Sequence, residues 1–392
     1  MSQQLINHSA DLKRLRDEGY EIEIYGGFLK IHHIPYLNSA LQIKLGTLVS
    51  TLSLANSTMT MTPDDHVIHF IGENPCDNTG SPILAIQYNN VATHLMEGLI
   101  VDRSFSNKPA AGYPNYYEKV KRYADIISSP AKYLDGAVTE KTFKVIPDVA
   151  NDSVFQYIDT NSSRANIDMI NAKFKGQKIA VIGLGGTGAY ALDLIAKTPV
   201  GEIHIFDGDS FDQHNAFRSP GAASVAELDL RKMKTQYLGE KYAQMHKGIL
   251  VHNYYINDSN IHELYEMTYV FVCVDRNSVR KYITDRLAAR GVSFIDVGLG
   301  VNVVGDRLTG AVRVTSGTAN KNDHLSQRIF GEDNDQNDYT TNIQIADLNA
   351  LNAVLAVIKW KKLSGFYVDL EEEHHSSYSI GVSKIFNEDA TT

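Results

Sequence analysis

The run Lys178-Ile-Ala-Val-Ile-Gly-Leu-Gly-Gly-Thr-Gly188 constrains this chain more than any other stretch. A short apolar strand enters Gly183, Gly185, Gly186 and Gly188, and the helical segment AYALDLIAKT follows at once. Glycines permit the tight turn, let an anion approach the backbone, and let helix pack closely on strand. The start of that helix offers free N–H groups and the positive end of its dipole, so the predicted occupant is a nucleotide phosphate. The apolar runs EIHIFD, YVFVCVD and SFIDVG then alternate with helical segments, the pattern of a parallel sheet wrapped by helices. Residues 343–363 keep apolar positions at three- and four-residue spacing, which predicts one long helix stopped near Gly365.

The residues after the glycine loop narrow the chemistry. Asp207 ends the second strand, where an acid in dinucleotide folds holds ribose hydroxyls, and Asp209 lies two residues on. Read to this point, the segment suits a nicotinamide-dependent oxidoreductase. Asn215, Arg218 and Lys234 disfavour it, because a donor amide, a guanidinium and an ammonium suit a triphosphate. Asp275 then arrives at the C-terminal end of YVFVCV, where open α/β sheets bind ligands. A carboxylate there suits Mg2+, which shares oxygen ligands with substrate phosphates. The combination reads as ATP with Mg2+. A nucleotide-binding scaffold without chemistry is a further alternative, against which the retained Arg218 and Asp275 argue.

In the order G-x-G-G-x-G, D-x-D, N-x-x-R, K and C-x-D-x-x-x-x-R, the sequence resembles the ThiF/MoeB adenylyltransferases and the adenylation domains of ubiquitin-activating enzymes. The resemblance covers roughly residues 164–366. It implies a Rossmann-like α/β adenylation fold with a largely parallel sheet, and ATP–Mg2+-dependent adenylation of a protein C-terminal carboxylate with release of pyrophosphate. By position, it puts Asp207 on the ribose, Asp209 near the phosphates, Asn215 and Arg218 on the outer phosphates, and Lys234 (or Lys232) at the α/β region. It puts Asp275 on the metal, matches Arg280 to an arginine of the following helix, and matches Arg164 to an arginine that reaches a partner subunit's ATP site. A homodimer is therefore implied, together with a ubiquitin-like or sulfur-carrier substrate and a possible conjugating enzyme. Arg276 stands where the family usually has Asn, and Ser219 where Gln is common. No cysteine follows Cys273, so no internal thioester is expected.

Polar residues 148–166 separate the adenylation region from what precedes it. The expected division is an α+β domain over 1–150, a linker with an arginine-bearing helix over 151–175, and the ATP-binding domain over 176–392. In the first domain, Ser9 is positioned to cap a helix ending at Gly19, and EIEIYGGFLKIHHI reads as a hairpin ended by Pro35. HVIHFIG and PILAIQY read as strands, and Tyr116, Val120, Tyr123 and Ile127 share one helical face. Co-occurrence of such a domain with this core resembles bacterial ThiF-type proteins of ubiquitin-like modification operons; the domain's residues do not themselves define its role, and recruitment of a protein substrate or conjugating partner is the hypothesis adopted for it.

Charge and cysteine usage bound the setting. A net charge of −9 argues against nucleic-acid or anionic-membrane binding. No basic segment followed by an apolar stretch opens the sequence, and no apolar run reaches the about 18 residues of a membrane span. Two cysteines support neither a disulfide framework nor a four-thiolate zinc site, and a cytoplasmic location is expected. Cys273 reads as core packing and Cys76 as a loop thiol that could be exposed. The pairs His32–His33, His66/His69 and His374–His375 read as surface or strand residues, and Glu371–Glu373 as a solvated run. Asn342, Gln344 and Asn349 could reach the site from the long helix or serve as caps and interhelical links.

Overall fold

The computed structural model describes residues 2–146, 153–165, 167–331 and 343–390. It divides into two compact units, Met1–Ala172 and Lys173–Thr392.

The first unit is built on an antiparallel sheet of β1 (Glu21–Tyr25), β2 (Phe28–Leu37), β3 (Ile43–Thr51), β4 (Val67–Ile71), β5 (Gln87–Asn89) and β6 (Arg103–Ser106), in the order β1-β2-β3-β4-β6-β5. Helix α1 (Ala10–Asp17) precedes it and helix α2 (Tyr116–Leu134) packs on β2. The Asn115 side chain caps α2 by accepting the Glu118 N–H at 2.9 Å. Tyr116, Val120, Tyr123 and Ile127 are all fully buried, as their spacing predicts. Each such burial contributes about 1.5–3 kcal/mol. An exposed pair such as Lys121–Asp125 on the outer face contributes a few tenths, so the apolar face holds this helix.

Three local expectations in this unit are corrected. Ser9 sits at the cap position of α1, but its hydroxyl donates to Asp11 rather than capping the helix. Pro35 does not end the strand; β2 runs on to Leu37 and pairs Pro35 with Leu45. The change of register falls earlier, between Ile31 and Ile34, where His33 adopts φ +56°. PILAIQY is mostly not a strand: Pro82 makes an isolated bridge, Leu84–Ile86 is a 3-10 turn and only from Gln87 does a strand, Gln87–Asn89, begin. Cys76 is buried, bridging Leu37 and Pro82, and burial pushes its thiol above the usual range.

Across β1 and β2, the Glu23 carboxylate accepts from Lys30 at 2.6 Å and pairs with His32 at 2.8 Å. These bonds, the one to His32 foremost, outweigh burial and take Glu23 from an ordinary 4.5 down to about 2. A carboxylate depressed in the folded state stabilises it above its unfolded pKa, and that contribution is lost as pH falls through the folded value. Glu23→Gln therefore flattens the acid limb of the unit's unfolding-temperature profile between pH 4.5 and about 2. A limb unchanged in that variant would contradict the assignment.

The second unit carries an eight-stranded sheet. Its strands are β7 (Lys178–Ile182), β8 (Glu202–Phe206), β9 (Ile249–His252), β10 (Tyr269–Val272), β11 (Ser293–Val304), β12 (Arg307–Gly317), β13 (Glu373–Ser379) and β14 (Lys384–Ala390). The order is β9-β8-β7-β10-β11-β12-β13-β14. The strands from β9 to β11 are parallel, and β12 to β14 extend the sheet antiparallel. Helix α3 (Gly186–Ile195) follows β7, α4 (Gln213–Ala216) and α5 (Lys234–Ala243) follow β8, and α6 (Asn277–Ala289) follows β10. The long helix α7 (Ala346–Leu363) packs on α3, β11 and β12, and Gly365 beyond it takes φ +70°. The strand order reverses between β7 and β10, and open sheets of this kind hold ligands outside the carboxyl ends at that point.

The antiparallel extension is polar. His374 and His375 on β13 are buried and bonded to Ser316 and Thr315 at 3.0 and 2.9 Å. Glu373 is no solvated residue: it is buried and takes Lys362 at 3.1 Å, whereas Glu371 and Glu372 are exposed. At the end of the sheet, β14 shows Ile385 and Phe386 to solvent, and Arg328 clasps its Glu388 and Asp389. Among the described residues, no helix is long and apolar enough to cross a membrane.

Candidate functional site

The glycine loop runs from the end of β7 into α3. Gly183 takes φ +85°, and a Cβ there would lie 2.7 Å from the Cys273 carbonyl oxygen at the end of β10. A Cβ at Gly188 would overlap the Gly183 carbonyl oxygen. These two glycines close the strand–helix joint. Gly185 differs: a Cβ there meets nothing within 4 Å, so the loop's backbone is open to an approaching group. Cys273 itself is packed in the core beside this joint, and burial raises its thiol far above the usual range.

Asp207 braces the loop from β8. Its two oxygens accept the N–H groups of Leu184 at 2.6 Å and Asp209 at 2.9 Å, which leaves lone pairs for a further donor. Lys234, the first residue of α5, donates to Asp209 at 2.7 Å and stands 3.6 Å from Asp207. Burial pushes Asp207 above the usual carboxylate range, and the Lys234 charge is the largest opposing influence. Asp209 is also pushed up by burial, but Lys234, Tyr255 and Arg218 outweigh this and hold it below the usual range. Lys232 turns away to Glu240 on α5, so Lys234 is the lysine in this cluster.

Lys234→Met tests that arrangement. Removing one partner of a buried pair costs about 3–5 kcal/mol. The pH dependence has a definite sign. A carboxylate whose folded pKa lies above its unfolded value destabilises the charged folded state, so stability rises as pH falls toward the folded value. Losing Lys234 pushes Asp207 further up. The variant therefore recovers stability on acidification from neutral pH more than the wild type does, and a parallel profile in denaturant titrations would refute it.

Asn215 and Arg218 complete the cluster. Asn215 is fully buried in α4, where its Oδ1 accepts the Asp212 N–H at 2.9 Å. Its Nδ2 and the Arg218 Nε are buried with no hydrogen-bond partner among the described residues. Burial lowers the Arg218 pKa, opposed by the charges of Asp275 and then Asp209. Asp275 is exposed beyond β10. The structure thus brings together Gly183, Gly185, Gly186, Gly188, Asp207, Asp209, Asn215, Arg218, Lys234 and Asp275. Buried donors without acceptors beside an open glycine loop are suited to an anionic ligand.

Other expected residues fall elsewhere. Arg280 is a strut: it donates to the Val274 carbonyl at 2.6 Å and pairs with buried Asp296 at 2.9 Å. Arg164 ends the helix Thr160–Arg164, but its side chain lies outside the described residues, as does Asn342. Asn349 on α7 is buried and accepts the Thr187 hydroxyl at 2.9 Å, linking the long helix to the first turn of α3. Tyr255, which donates to Asp209, was not expected; it follows the short edge strand β9, whose four residues carry no motif.

The fold, the glycine loop and the charged cluster define a doubly wound α/β domain with a Rossmann-like sheet. Residues 164–379 match the ThiF family, and the chain belongs to that family. Residues 10–160 match a domain described only as of unknown function, DUF6791. Among curated proteins, the chain is 27% identical over 132 residues to "Adenylyltransferase and sulfurtransferase UBA4" of Saccharomyces cerevisiae strain S288c, covering 33% of this chain and 29% of that one. The strain YJM789 protein of the same name is 26% identical over the same length. The chain thus spans less than a third of the length of these relatives. Among solved structures, Escherichia coli MccB with ATP is 19% identical at TM-score 0.44, covering 59% of this chain and 69% of that one. PaaA is 14% identical at TM-score 0.45, covering 57% and 75%.

Proposed function

We propose that this chain is an ATP–Mg2+-dependent adenylyltransferase that activates the C-terminal carboxylate of a ubiquitin-like or sulfur-carrier protein, in a bacterial ubiquitin-like modification pathway in the cytoplasm. The observation that carries this reading is the pair of buried donors on Asn215 and Arg218 that have no partner among the described residues, close in sequence to the Asp207–Asp209 segment that braces the glycine loop. Membership of the ThiF family supports it, as does the name of the yeast relatives.

In this reading the α3 N-terminus and Lys234 receive the inner phosphates, Asn215 and Arg218 the outer ones, and Asp207 the ribose while it braces Leu184. A substrate carboxylate oxygen attacks the α-phosphorus, the bond from that phosphorus to pyrophosphate breaks, and pyrophosphate leaves. Two anions meet, so the cationic cluster stabilises the developing charge and no general base is required. Asp275 would hold Mg2+, which uses one or two carboxylates together with phosphate oxygens and would lower the charge of the triphosphate. A single exposed carboxylate fits that habit. Cys76 is buried and Cys273 packs against the core, so neither presents an open thiol, and in this reading the acyl-adenylate passes to an acceptor outside this chain. Arg164 serves a neighbouring copy's site in a homodimer, and the first unit recruits the carrier or a conjugating partner.

Thermal unfolding with ATP–Mg2+, ATP with EDTA, and NAD+ tests the reading. A ligand binding only the native state adds about 2.7 kcal/mol at a hundredfold excess over its dissociation constant. Stabilisation by ATP–Mg2+ alone is expected. Stabilisation by NAD+ alone would replace adenylation with redox chemistry.

A further inference from the structure

Asp296 lies on β11 level with Val272, the last residue of β10, and is fully buried. Two arginines converge on it: Arg280 at 2.9 Å and Arg313 of β12 at 2.7 Å. Arg280 also donates to the carbonyl of Val274, the residue before Asp275. An unbroken chain of polar contacts therefore links the Asp275 loop to Arg313. Two guanidiniums against one carboxylate leave an excess positive charge in a largely desolvated place, and such excess favours an anion.

The two arginines are not equivalent. Arg280 is buried, is ion-paired with Asp296, and donates to Asn277, Val274 and Val297. Arg313 is part-exposed, and Nη1 alone is engaged, by Asp296 and by the Thr315 hydroxyl at 3.2 Å. Its Nε and Nη2 have no hydrogen-bond partner among the described residues, and these two N–H groups form one edge of the guanidinium fork, the spacing that takes a carboxylate with two bonds. Gly298, the cross-strand partner of Arg313, makes room for it: a Cβ there would lie 2.5 Å from Nε. His375 behind Thr315 adds no charge near neutrality, because burial and the nearby arginines lower its pKa.

The geometry points to Arg313 as the residue that receives the substrate's C-terminal carboxylate before adenylation. This rests on the adenylation reading and extends it to the second substrate. Asp296 holds the guanidinium in place, and the Nε/Nη2 edge selects a free carboxylate over an amide. The nucleotide cluster of Asn215, Arg218 and Lys234 is a separate set of residues.

The test uses the full chain with Mg2+ and a non-hydrolysable ATP analogue, titrated with N-acetyl-glycylglycine and with its C-terminal amide. The wild type is expected to bind the acid more tightly than the amide by about tenfold or more, the scale of a charge-assisted pair. Arg313→Gln should abolish that preference, and Gly298→Ala should do the same by displacing the guanidinium. Arg313→Lys, which keeps charge without the fork, should retain part of it. All three should hold nucleotide affinity within about twofold, since a purely structural role would lower stability without changing acid-over-amide selectivity. An acid preference surviving Arg313→Gln, or none in the wild type, overturns the proposal. If the wild type does not bind the nucleotide analogue, the adenylation reading itself has failed.

Discussion

Arg218→Ala is expected to lose the rise in unfolding temperature that ATP–Mg2+ gives the wild type, while unfolding no earlier than the wild type in the absence of nucleotide. The second half separates this residue from an ordinary buried arginine. Its Nε is buried and unpartnered among the described residues, and burial disfavours its charged form. An unsatisfied buried donor costs about 1–3 kcal/mol, and more when charged. Deleting the group removes that cost from the unliganded protein. The same deletion removes charge-assisted bonds to phosphate worth about 1.5–3 kcal/mol each, so nucleotide affinity falls by roughly tenfold to a hundredfold for every bond lost. Calorimetric titration of wild type and variant decides it. Unchanged affinity would remove Arg218 from the site and with it the strongest support for a triphosphate.

The largest stability loss is expected from Trp360→Ala. Trp360 is fully buried in α7, against Phe174 at 4.6 Å and edge-on to Phe271 of β10. Its indole N–H donates to Gln177 at 3.0 Å, just before β7. Removing a buried tryptophan costs about 3–5 kcal/mol, and here it also strands the Gln177 acceptor. For a unit of this size about 1 kcal/mol corresponds to 2–4 °C, so a fall on the order of 10 °C is expected. Trp360 is the chain's single tryptophan, so circular dichroism rather than its own fluorescence must follow the transition. A loss below 1 kcal/mol would show that α7 is not anchored through this ring.

The parts of this protein legible in its sequence are those where local chemistry decides conformation. The β7–glycine–α3 joint could be read because steric demands at Gly183 and Gly188 leave little alternative to glycine. The four apolar strands and the Tyr116–Ile127 face announced themselves by period. The antiparallel strands β12 and β13 did not, because Arg313, Thr315 and Ser316 find their partners in Asp296, His375 and His374 on neighbouring strands. Polar residues buried by long-range partners carry no periodic signature. The same reason hid Glu373, whose neighbours Lys359 and Lys362 come from α7. Cys76 looked like an exposed loop thiol because its burial depends on bridges to Leu37 and Pro82. Within the site, residue types were legible and pairings were not. Nothing local distinguishes Lys234 from Lys232; only the start of α5 turns one toward Asp209 and the other toward Glu240.

Strand β14 closes the described sheet with one side unpaired and with Ile385 and Phe386 turned to water. Such a margin is a template on which another chain can add a strand, and proteins commonly guard it with charge and curvature. Here the guard is a clasp: Arg328 grips Glu388 and Asp389, and Asp389 bends the backbone through φ +56°. The consequence concerns storage and crowding. Arg328→Ala should leave nucleotide binding intact while the protein turns turbid at concentrations the wild type tolerates, and light scattering on matched samples would measure the difference.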